Sequence, residues 1–166
     1  MQRAAQFATT TPTSALEHAT NVKPLVIASC CLAIILALVF GVGLVSHGVL
    51  RHIVQTLPLW LGVIFGFRRS RSAGWLALPS FLFWFVLMVF IWLYVLGIAR
   101  IITGTFSPIE IAMTIIVGAA SLIGTAIFFR IKSSLSPLQA ATLFVVMASA
   151  QWVCFRLSLL PAIAQR

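Results

Sequence analysis

The sequence predicts an all-α fold: a polytopic transmembrane helical bundle of five spans. Five apolar runs, four of them twenty or more residues long, fill most of the 166-residue chain. About 20 apolar residues in a helix cross the hydrocarbon core of a bilayer, and only a helix satisfies its own backbone hydrogen bonds there. The composition agrees, with 61% hydrophobic and 8% charged residues and a mean hydropathy of +1.13. A soluble domain carries about 25% charged residues, so a water-soluble fold would have too little polar surface.

Residues 1–22 are polar and rich in Ala, Thr, Ser and Pro. They contain no apolar period long enough to pack and are expected to form a disordered cytoplasmic tail. The following run is too long for the apolar region of a signal peptide, and no small-residue cleavage site ends it. It reads as an uncleaved first span over about 24–46, with Pro24 at the first helical position. The whole bundle is expected over 23–161, followed by a short outer tail, 162–166.

The second run, 49–67, carries Arg51, His52 and Gln55 in its first turns and Pro58 at its centre. It spans if Arg51 and His52 reach back to the interface; four spans plus a re-entrant segment at 49–67 is the competing arrangement. Gly62 and Gly66 form a GxxxG pair that allows close approach of a neighbouring helix. Arg68, Arg69 and Arg71 then form the densest charge cluster in the chain.

The third span is placed at about 75–100, with Pro79 in its first turn. Trp75 near one end and Trp92 with Tyr94 near the other suit the two interfacial aromatic belts. The fourth span (about 108–130) and the fifth (about 137–160) share a start signal. Ser107-Pro108-Ile109-Glu110 and Ser136-Pro137-Leu138-Gln139 are both capping boxes with proline at the first helical position. In the fourth span Ala120 and Gly124 belong to a small-residue stripe suited to packing.

With five crossings, one side holds Arg3, Lys23, Arg68, Arg69, Arg71, Arg130 and Lys132, and the other Arg51, Arg100, Arg156 and Arg166. Seven against four places the N-terminus in the cytoplasm. With four crossings the split falls to six against five, which favours the five-span arrangement. The short tail and brief loops suggest a bacterial inner membrane.

The spans contain one polar constellation. The fourth and fifth spans are joined by a short loop and are expected to be antiparallel neighbours. Equal depth then places Glu110 level with Arg156, with Arg100 as rival partner and Gln151 nearby, in a polar cluster toward the outer face. The competing explanation is that Glu110 only caps its helix and Arg156 reaches outward.

No catalytic, cofactor or metal site is expected. The chain has no Asp, which excludes Ser/His/Asp chemistry. His47 and His52 lack the acidic or cysteine companions of a metal site. Cys30, Cys31 and Cys154 lie inside apolar runs as small hydrophobes. The net charge of +9 sits at the span ends and reads as topology, not nucleic-acid binding. The expected partners are the lipid bilayer, with anionic headgroups at Arg68–Arg71, and a second copy or another membrane protein. The expected role is a non-enzymatic accessory or scaffold component, the alternative a small oligomeric channel or transporter.

Overall fold

The structure, a computed structural model, describes residues 12–70, 72–101, 104–131 and 135–164. Its long elements are α1 (Pro12–Leu36), α2 (Val49–Phe67), α3 (Ala73–Val95), α4 (Pro108–Phe129) and α5 (Pro137–Ser158), with a terminal turn, α6 (Pro161–Ala164). Five helices are long and apolar enough to cross a membrane, the first of these stretches being Val22–Val45. The second is α2, a single helix running through Pro58. Its 19 residues extend about 28 Å, so segment 49–67 is one continuous helix long enough to cross a membrane and not a half-helix.

Several boundaries differ from expectation. Residues 12–22, placed in a disordered tail, are the first turns of α1; residues 1–11 lie outside the described residues. The stretch contains no glycine, and a helix nucleated by the apolar span propagates into it at little cost. Pro24 therefore sits inside the helix; its missing N–H deprives one carbonyl at the polar end of the span. After Leu36 the chain passes through a π-helical stretch, Ala37–Val42, and one α-turn, Gly43–Val45. α3 begins at Ala73, so Pro79 falls in its second turn. In the short outer segment Pro161–Ala164 forms one helical turn; residues 165–166 lie outside the described residues.

The end of α3 differs as well. The helix stops at Val95, and Gly97 takes φ +72°. Gly97 N–H donates to Tyr94 O and Ile98 N–H to Leu93 O, both at 2.9 Å, which is the Schellman closure. Arg100 is thus outside the helix. α2 closes in the same way, with Arg69 at φ +53° and Ser70 N–H donating to Phe65 O at 2.9 Å. The capping boxes of α4 and α5 both form, with Ser107 and Glu110 in one and Ser136 and Gln139 in the other.

α3 is the hub and packs on each of the other four spans. Its buried Phe81, Trp84 and Met88 meet Ile27, Cys31 and Ile34 of α1, Leu59 of α2 and Val117 of α4 in one apolar core. α4 also packs on α1, and α5 on α2. α4 and α5 themselves share no substantial packing among the described residues, contrary to the antiparallel pairing expected. A short loop holds two ends together but leaves the axes free to choose. The small-residue face of α4 closes on α3, and the glutamine face of α5 turns to α2 and α3. Where that loop leaves α4, Lys23 Nζ donates to Arg130 O at 2.8 Å, placing a cation on the C-terminal carbonyls of α4.

Glycines set the closest approaches. A Cβ at Gly62 would lie 2.7 Å from Cys31 Sγ, and one at Gly66 2.8 Å from Pro24 O. A Cβ at Gly124 would enter the Phe81 ring, whereas one at Gly118 would meet only Met88 at 3.8 Å. Gly124→Ala should therefore lower stability by about 1–3 kcal/mol through overpacking, and Gly118→Ala should be tolerated. Thermal unfolding of the two variants in the same detergent checks this; equal effects would remove Gly124 as a packing determinant.

Candidate functional site

Two groups of polar side chains stand out in the bundle. The first ties α2, α3 and α5. Gln151, 1% exposed, accepts a hydrogen bond at Oε1 from Ser80 Oγ (2.8 Å) and donates from Nε2 to Gln55 O (3.1 Å). Gln55 Nε2 donates to Ser158 Oγ at 2.9 Å, and Ser158 Oγ donates to Phe155 O at 2.6 Å. Pro58 lacks the N–H that would bond Val54 O and crowds that turn. The adjoining Gln55 carbonyl takes the extra bond from Gln151.

The second group lines a cavity of about 380 Å³, within the range of small-ligand pockets. Arg51 and His52 reach it from the first turn of α2, Gln55 from the next, Trp84 from α3, and Glu110 and Thr114 from α4. Leu38 and Val42 of the π-helical stretch form one wall. The α3–α4 loop lies across one end: Gly104, Thr105 and Phe106 border the cavity. Tyr94 holds that loop, donating to Gly104 O at 2.9 Å and packing its ring edge-on to Phe106 at 6.0 Å. Arg51 Nε, His52 Nδ1 and Trp84 Nε1 are buried without a hydrogen-bond partner.

Glu110 lies on this wall with its carboxylate engaged. Oε2 accepts Ser107 N–H at 2.7 Å, and Glu110 N–H donates to Ser107 Oγ at 3.2 Å. Its expected ion pair with Arg156 or Arg100 is not formed. Arg156 is exposed on α5, Arg100 is exposed beyond the end of α3, and α3 stands between α4 and α5. Of the expected outer cluster, Gln151 is in the glutamine tie and Glu110 faces Arg51 and His52 across the cavity. Arg68 and Arg69 are exposed at the α2–α3 turn; Arg71 lies outside the described residues. Ala120 and Gly124 are buried on the α4 packing face.

Arg51, Gln55 and Trp84 were not among the sequence-derived site residues. The available signal was the spacing of Arg51 and Gln55, four residues apart and so on one face of a helix, with His52 beside them. Nothing local marks Trp84, because its depth and rotation come from packing. Among the described residues no three His, Cys, Asp or Glu side chains are grouped to hold a metal ion. Comparison with family models, characterised proteins and solved structures finds no match, so function rests on the geometry.

Two outcomes test the arrangement. A double-mutant cycle of Ser80→Ala and Gln151→Ala should give a coupling energy between about 0.6 kcal/mol, the average for hydrogen bonds between membrane helices, and about 1.7 kcal/mol, the upper end; additive effects would dissolve the tie. Replacing Glu110 by Gln keeps a cap acceptor and should leave the melting temperature nearly unchanged. Glu110→Ala should cost about 1 kcal/mol, read by thermal unfolding.

Proposed function

We propose that this chain is a non-enzymatic accessory component of a membrane, packing against another membrane helix through the outward face of α5. One observation carries this reading. α5 is the least buried of the five spans, and its exposed positions include Ala141, Thr142, Val145, Ser149 and Val153. The exposed positions of α4 include small residues too, Ala112, Ala119 and Ala126, but none bears a hydroxyl group. Small and hydroxyl-bearing residues allow close helix approach and hydrogen bonds between helices. Ser149 makes no hydrogen bond within the described chain and is free to meet a partner.

The charge distribution supports an N-terminus in the cytoplasm, with Arg68, Arg69 and Arg71 against anionic headgroups. A bacterial inner membrane is the proposed location, and a second copy or another membrane protein the proposed partner. A small oligomeric channel or transporter is the second reading, favoured by the cavity bordered by Arg51, His52 and Glu110.

Affinity purification from native membranes in mild detergent should recover a stoichiometric membrane partner. Ser149→Leu should reduce its recovery several-fold, while Ile115→Leu on α4 should not. A chain recovered alone, which passes solute after reconstitution into liposomes, would overturn the accessory reading in favour of the second.

A further inference from the structure

We propose that the cavity between α1, α2, α3 and α4 is a binding site for an anionic lipid. Its headgroup oxyanion sits against Arg51 and His52, and an acyl chain leaves along the groove between α3 and α5. This rests on the membrane reading above but not on the α5 partner.

The headgroup end follows from unmet charge and unmet hydrogen bonds. Arg51 has no counter-ion within ion-pair distance among the described residues. Its Nε, with His52 Nδ1 and Trp84 Nε1, is buried without a partner, and Trp84 is 2% exposed. Arg51 Nε and Trp84 Nε1 can only donate. A group rich in acceptors and carrying negative charge answers them, and guanidinium is the side chain best matched to phosphate and carboxylate. Glu110 lines the same cavity and shares its field with Arg51 and His52, but its carboxylate is hydrogen-bonded to Ser107 N–H and leaves the Arg51, His52 and Trp84 nitrogens without a partner.

The acyl end follows from continuity. A second cavity of about 450 Å³ lies between α3 and α5, bordered by Pro79, Val86, Phe90 and Trp152. Leu87 and Phe155 line both this groove and the polar cavity, so the two adjoin at shared side chains. The groove is almost wholly apolar and suits hydrocarbon. A soluble anion would use only the polar cavity; a lipid uses both.

The test uses the full chain, delipidated in detergent, and measures affinity by native mass spectrometry. The probes are dioctanoyl phosphatidylglycerol, dioctanoyl phosphatidylcholine and glycerol phosphate. The expected order is phosphatidylglycerol at least about tenfold tighter than phosphatidylcholine, with glycerol phosphate weaker than either lipid. Arg51→Gln should lower phosphatidylglycerol affinity about tenfold, and Glu110→Gln should maintain or raise it. Val86→Trp, in the groove and not in the polar cavity, should weaken the lipid but leave glycerol phosphate unchanged. Equal affinity for the two lipids, or unaltered binding in folded Arg51→Gln, would overturn the proposal. Glycerol phosphate binding as tightly as the lipid would also overturn it, in favour of a soluble oxyanion. Loss on Glu110→Gln with retention on Arg51→Gln would point to a cation and overturn it as well. None of these results depends on a partner at Ser149, so failure here leaves the accessory role standing, and the converse.

Discussion

Gln151 is the constraint on which the bundle's closure depends. In an apolar surrounding a primary amide cannot leave its donors and acceptor empty without a cost of several kcal/mol. Here the amide meets Ser80 on α3 and the Gln55 carbonyl on α2. Apolar packing alone is tolerant of rotation and sliding, since one aliphatic contact resembles another. Hydrogen bonds at 2.8 and 3.1 Å are not tolerant, and they set the register of three helices at once. Gln55 extends the tie to Ser158 at the end of α5, so that helix is held at two levels.

Once α5 is committed to α2 and α3, α4 must find its neighbours elsewhere. Its small-residue face accepts the Phe81 ring over Gly124, and α3 becomes the wedge between the last two spans. Aromatic mass in α3 makes this possible, because Phe81 and Trp84 fill space on more than one side. The same division leaves room where α1, α2, α3 and α4 meet beneath the α3–α4 loop. The π-helical stretch at Ala37–Val42 widens α1 at that level, consistent with the tendency of such segments to lie beside functional sites.

The cavity and the glutamine tie meet at Gln55, which lines the first and anchors the second. Polar groups in a hydrocarbon setting are expensive, and the chain uses them in two ways. Gln55, Ser80, Gln151 and Ser158 satisfy one another and serve structure. Arg51, His52 and Trp84 hold nitrogens with no partner, and unmet hydrogen-bonding capacity is what a ligand can use. The difference between a structural and a functional polar group here is whether its partners are already inside the chain.

Sequence alone determined the five apolar helices, the capping boxes at Ser107–Glu110 and Ser136–Gln139, and the small residues at close approach. Each of these is a local property: span length follows from bilayer thickness, a cap from residues three apart, and close packing from the absence of a side chain. The ends of α1 and α3 were harder to read. Polar residues at 12–22 carry no burial signal yet propagate a helix, and Gly97 stops α3 by a single positive φ inside an otherwise unbroken apolar run. Only the tertiary structure decided which helices touch. Depth along an axis can be counted from residue number, and it placed Glu110 and Arg156 level, but rotation about the axis and choice of neighbour depend on all the faces competing together. That competition separated Glu110 from Arg156, gave Gln151 to Ser80 and Gln55, and brought Arg51, His52 and Trp84 around one cavity.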